Sequence, residues 1–296
     1  MAGVREQAAL FGPRKSLVGI VTQDPTIAAE ADLPAVVILN AGIIHRVGPH
    51  RMFVDLSRRL AAAGRTVVRF DLSGIGDSEP RSDSLPPIEA ALADLREVLD
   101  SLQATHKIQR VIVVGLCSGA DQSVIYGGTD PRIVGMVLID PSVPRTRRYY
   151  LHHYGRRLFR LHSWLNFTAG RHPLWRQIKK SIAADPTEPL PDTSGDLLQS
   201  AQVRAFLQNA YARTVEAGID ILAVFTGDRE AQYNYREQLL EAFPNVPFGT
   251  RLQLSYYAKA DHTFTVRSER ESLLRLIVEW MAARAHQRIG AEAVVP

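Results

Sequence analysis

The sequence predicts an α/β architecture in which a mostly parallel sheet is covered on both faces by helices. Three observations carry this expectation. Short runs that are almost wholly apolar and rich in β-branched residues recur along the chain, as strands buried on both faces require. Between them lie longer segments whose apolar residues fall at helical spacing. The alternation is broken once, between residues 143 and 218, and then resumes. Regular alternation of this kind belongs to parallel strands joined by crossover helices. At 296 residues, 46% hydrophobic and 22% charged, the chain suits one globular domain large enough to carry an insertion.

Taken in order, "SLVGIVTQ" (16–23) and "AVVILNAG" (35–42) read as strands. "PHRMFVDLSRRLAAAG" (49–64) reads as a helix closed by a glycine suited to its C-terminus. "TVVRFDLSG" (66–74) is the next strand, and "PPIEAALADLREVLDSLQ" (86–103) is an amphipathic helix with proline near its start. A strand follows at 110–116, a helix from 118, and a strand at "IVGMVLIDPS" (133–142). After the interruption come strand "IDILAVFTGD" (219–228), helix "YREQLLEAFP" (235–244), strand "RLQLSYYAKADH" (251–262) and helix 270–288. Residues 1–142 and 219–296 are therefore expected to form the core, with 143–218 inserted as a cap. Within the insertion, 184–196 reads as a Pro- and Asp-rich linker and 197–217 as a helix.

Composition narrows the function classes. The single cysteine excludes an internal disulfide and a cysteine metal cluster, and no His, Asp or Glu spacing suggests a metal site. No glycine-rich loop carries the Lys-Ser/Thr of a phosphate cradle, so neither metal nor cofactor is expected. The N-terminal stretch lacks a signal peptide's apolar core, and no stretch approaches 18 uninterrupted apolar residues; a cytoplasmic location is expected. The formal charge of +4 hides an imbalance, because residues 141–184 hold ten Lys or Arg and no Asp or Glu. Tyr, Phe and Trp are interleaved there. Beside the reading as a solvated basic helix face stands a surface for something anionic and amphipathic: a membrane surface, an acidic carrier protein or coenzyme A. Nucleic acid fits the charge but finds no support in the motifs.

Chemistry concentrates in "VIVVGLCSGADQS" (111–123), which begins as a buried strand and ends as the first turn of a helix. A nucleophile held on such a sharp turn needs small residues two positions to either side, where strand and helix crowd it. Around Cys117 those positions are Gly115 and Gly119; around Ser118 they are Leu116 and Ala120. Cys117 is therefore the candidate nucleophile, and the amide N–H of Ser118 a candidate oxyanion donor.

With these residues the chain resembles the α/β-hydrolase family, over nearly its whole length. The G-x-C-x-G form looks like the cysteine variants of that fold, such as dienelactone hydrolases and polyhydroxyalkanoate synthases. "LNAGIIHRVGPHR" and "RFDLSGIGDS" are similar to stretches of serine-aminopeptidase-like and exosortase-associated hydrolases. The resemblance implies the α/β-hydrolase fold: an eight-stranded, mostly parallel sheet, the nucleophile after the fifth strand, and a helical cap after the sixth. Its chain order is nucleophile, acid, histidine, which implies His262 in "KADHTF" as general base. For the acid it leaves three candidates open. Glu230 fits Gly-x-x-acid after the seventh strand, Asp228 lies closer to the strand end, and Asp140 follows the sixth strand. The second oxyanion donor is implied at Ile43, after Ala41-Gly42 where the family has His-Gly. Asp71 and Asp77 are expected to stabilise a nearby turn, and His45 and His50 to hydrogen-bond within loops. The expected reaction is cleavage of a small-molecule ester or thioester through an acyl-cysteine. The alternatives are transfer of that acyl group to another acceptor, or ligand binding without catalysis.

Overall fold

The computed structural model describes residues 3–27, 33–158 and 198–292. Eight strands form one sheet: β1 (Arg5–Phe11), β2 (Leu17–Gln23), β3 (Ala35–Ile38), β4 (Val67–Phe70), β5 (Val111–Leu116), β6 (Ile133–Ile139), β7 (Asp220–Thr226) and β8 (Leu252–Tyr257). Their spatial order is β1-β2-β4-β3-β5-β6-β7-β8. β2 runs antiparallel to β1 and β4, and every other pairing is parallel. The helices are α1 (Met52–Ala62), α2 (Pro87–His106), α3 (Ser118–Gly127), α4 (Arg147–Leu158), α5 (Ala201–Glu216), α6 (Gln238–Ala242) and α7 (Arg267–Glu292).

The central strands explain why the runs are apolar throughout. Along β5, Val111 and Val113 enter the core shared with α2, α3 and α5, while Ile112, Val114 and Leu116 enter the one shared with α1 and α7. A strand covered on both faces has no polar face to show. β1 was missed by the same logic: its residues are mostly exposed, and "REQAALF" pairs only with β2 at the sheet edge.

Strands end sooner than their apolar runs suggest. β3 stops at Ile38, β4 at Phe70, β7 at Thr226 and β8 at Tyr257, and the residues beyond them turn into loops. From β3 the chain passes out to β4 on one side, and from β4 it crosses back past β3 to β5 on the other. This reversal opens a crevice at the carboxyl ends of the strands.

Within the inserted stretch, α4 and α5 are described, and α5 belongs to the helix layer: its Leu207, Ala210, Tyr211 and Val215 are buried in the core shared with α3. Residues 159–197 lie outside the described residues. So does most of the basic, aromatic stretch and the 184–196 linker. Among the described residues, no helix is long and apolar enough to cross a membrane.

Candidate active site

The turn from β5 into α3 is built on backbone contact. Cys117 sits at φ 56°, ψ −120°, a left-handed conformation a cysteine adopts only when the surroundings impose it. A Cβ at Gly115 would lie 2.2 Å from the backbone of Gly119, and one at Gly119 would lie 2.5 Å from the Asn40 carbonyl oxygen. Both glycines are thus required by main-chain atoms that cannot yield. The amide of Cys117 donates to the Ile139 carbonyl at 2.9 Å, and its own carbonyl accepts from Ala120 and Asp121. The half-buried thiol stands at the start of α3, where free N–H groups and the helix dipole favour an anion.

His262 arrives from the loop after β8. Its amide donates to Asp228 Oδ2 at 2.8 Å, and its Nδ1 lies 2.7 Å from Asp140 Oδ2. The Cys117 thiol and the imidazole are near enough to shift each other's ionisation, and with Nδ1 facing Asp140 the ring nitrogen left to the thiol is Nε2. Hydrogen bonding to Asp140, then to Cys117, raises the His262 pKa to about 9 against the opposing effect of burial. The same hydrogen bond from His262 lowers the thiol pKa, although burial pushes the other way. The two shifts agree: a thiolate–imidazolium pair is favoured over the neutral pair.

Of the three carboxylates, Asp140 meets the ring. It is 2% exposed, at φ 50°, immediately past β6. Its Oδ1 accepts the Thr226 amide at 2.8 Å and the Tyr233 hydroxyl, and its Oδ2 lies 2.7 Å from the Thr226 hydroxyl. Asp228 is exposed and holds the backbone of His262; the Thr226 hydroxyl lies 3.0 Å from its Oδ1. Glu230 is exposed too, and its backbone carbonyl accepts from the Tyr149 hydroxyl at 3.0 Å. Thr226 and Tyr233, which fix the Asp140 carboxylate, carry no sequence signal at all.

The facing loop follows β3. A tight turn closes with the Ile44 amide donating to the Ala41 carbonyl at 3.0 Å, and Ile43 stands at its tip, 91% exposed. Ser118 contributes a side chain as well as an amide: the Gly42 N–H donates to its Oγ at 2.8 Å, tying loop to elbow. Asn40 braces the loop through the Ile44 carbonyl and the Leu72 amide. Buried Asp71 accepts the Arg46 amide and the amide of Asp77, and the Arg46 guanidinium bridges Asp71 and Asp77. His50 Nε2 meets the Thr265 hydroxyl at 3.1 Å, near the His262 loop. Beside Gly42 opens a pocket of about 400 Å³, its apolar wall formed by Leu72, Ile75, Pro80 and Leu85. Gln122 of α3 reaches it with a buried Oε1 that has no hydrogen-bond partner among the described residues.

A family model described as serine aminopeptidase, S33, matches residues 34–217, from β3 through α5. The chain belongs to the serine aminopeptidase S33 family. It is accordingly a hydrolase of the α/β-hydrolase fold. Solved members of that fold superpose over almost the whole chain. A Pyrococcus furiosus esterase is 15% identical, with a TM-score of 0.57 over 94% of this chain and 90% of that one. A proline iminopeptidase of Mycobacterium smegmatis is 13% identical, with a TM-score of 0.54 over 96% and 100%. A dienelactone hydrolase-like promiscuous phosphotriesterase from metagenomic libraries is 12% identical, with a TM-score of 0.56 over 95% and 98%. No curated protein matches the chain in sequence. Against the serine in the S33 family's name, this member carries cysteine at the elbow.

Proposed function

We propose that the protein hydrolyses an ester or thioester through an acyl-cysteine intermediate on Cys117, with His262 as proton carrier and Asp140 as its orienting carboxylate. One observation carries the reading: His262 Nδ1 lies 2.7 Å from the Asp140 carboxylate, which leaves Nε2 for the neighbouring Cys117 thiol. The paired pKa shifts support a resting thiolate that needs no separate deprotonation before attack.

The thiolate attacks the substrate carbonyl carbon, and the carbonyl oxygen takes the negative charge. The Ser118 amide stabilises that oxyanion, with the Ile43 amide as its partner across the cleft. Collapse expels the alkoxide or thiolate leaving group, which takes the Nε2 proton of His262. Neutral His262 then draws a proton from water, the hydroxide attacks the thioester carbonyl, and the free acid leaves as the Cys117 thiolate and the imidazolium re-form. Asp140 keeps the Nδ1 proton in place throughout and stabilises the imidazolium. The pocket beside Gly42 suits an apolar part of the acyl group.

Rapid quench of the enzyme with an activated thioester, followed by peptide mass analysis, tests this directly. An acyl adduct on Cys117 that is absent in Cys117→Ala is expected. An adduct on Ser118, or full turnover by Cys117→Ala, sinks the reading. Free acid as the sole product in the presence of an added amine or thiol separates hydrolysis from acyl transfer.

A further inference from the structure

Arg229 has no role in that chemistry, yet its position is closely held. It lies in the turn after β7, and both ends of this turn are fastened to the site. Asp228 takes the His262 amide, and the Tyr233 hydroxyl donates to Asp140. In between, the Arg229 carbonyl accepts from the amides of Gln232 and Tyr233 at 2.8 and 3.1 Å. The side chain is half-buried. Its guanidinium has neither a hydrogen-bond nor an ion-pair partner among the described residues, whereas Arg46, Arg69, Arg81 and Arg132 are each ion-paired.

The carboxylates around it are occupied. Asp140 serves Thr226, Tyr233 and His262, and Asp228 serves the His262 backbone. Asp121, in the first turn of α3, accepts the amide and hydroxyl of Ser142, both at 2.7 Å, and burial pushes its carboxyl up towards the neutral form. Besides the causes already named, the Arg229 charge acts at Cys117, at His262 and at Asp121. Arg229 directly follows Asp228, whose carboxylate holds the His262 amide, so its turn lies beside His262.

Resting on the acyl-cysteine reading, we infer that Arg229 reads an anionic group, a carboxylate or phosphate, on the leaving-group side of the substrate's scissile bond. The leaving group must sit by His262 to take its proton, and the Arg229 turn carries the carboxylate that holds the His262 backbone. A guanidinium with no partner among the described residues, on the turn beside His262, offers a forked pair of donors matched to carboxylate and phosphate oxygens.

The single cysteine makes a clean test. Cys117 of the full chain is alkylated with iodoacetate (anionic) and with iodoacetamide (neutral), and the ratio of rates is compared among wild type, Arg229→Gln and Arg229→Lys. Taking the ratio cancels the fraction of thiolate and leaves the local charge. It should fall about fivefold in Arg229→Gln, the order expected for one nearby charge, and be kept in Arg229→Lys. An unchanged ratio in Arg229→Gln overturns the inference, whatever the enzyme turns over. Sluggish iodoacetamide labelling in every variant counts against the reactive thiol instead. In turnover, an S-acyl 3-mercaptopropionate should be preferred over its methyl ester, with the preference lost in Arg229→Gln chiefly through KM. The corresponding S-acyl 2-mercaptoethyl phosphate distinguishes phosphate from carboxylate as the preferred anion. Equal preference in wild type and Arg229→Gln for all three substrates would also overturn it.

Discussion

Asp140→Asn keeps the shape of the carboxylate and replaces the charged hydrogen-bond acceptor that most raises His262 with a neutral one. Turnover should drop by on the order of 10²–10⁴-fold, whereas Glu230→Gln should retain wild-type kcat. The pH profile carries the sign. His262 is protonated below about 9, so kcat/KM should hold from the lowered thiol pKa up to that value and fall above it, as the leaving group loses its proton donor. In Asp140→Asn the alkaline limb should move to lower pH, because a neutral acceptor supports the imidazolium less than a carboxylate does; an unmoved limb would mean another group sets it. Ser118→Ala keeps its amide but frees Gly42, so kcat should fall no more than about tenfold, the worth of one hydrogen bond.

At the scale of elements, the site depends on two loops and one helix start. Gly115→Ala drives a Cβ into the backbone of α3 and should cost about 1–3 kcal/mol in chemical denaturation, with activity lost through displacement of Cys117. Arg46→Met leaves Asp71 buried and without its counter-charge, and should destabilise by about 3–5 kcal/mol. The elbow could be read in the sequence because its requirement is local: small residues at fixed offsets around one turn. His262 was legible as the histidine following the last strand. The choice among Glu230, Asp228 and Asp140 was not, because all three follow strands on the same edge of the sheet. Which of them meets the imidazole depends on where β6, β7 and the β8 loop end relative to one another, and on the φ of 50° that turns Asp140.

Across the whole molecule, α5 returns the chain from the insertion to the body and packs against α3, the helix that starts after Cys117. Tyr211→Ala should therefore cost about 3–5 kcal/mol in denaturant unfolding, as removal of a fully buried ring does, and should depress activity through α3. A surface-like cost well below 1 kcal/mol would detach α5 from the core. The alternation of apolar runs with amphipathic segments determined the sheet-and-helix architecture, since burial on both faces of a strand is written into its own residues. The glycine spacing likewise determined the elbow and singled out Cys117 over Ser118 for its seat. Tertiary structure alone decided that Asp140 holds His262, that Ser118 Oγ tethers Gly42, and that Thr226 and Tyr233 fix the carboxylate. Each of these is a contact between residues tens of positions apart, set by strand register and loop length. No local pattern encodes such a meeting.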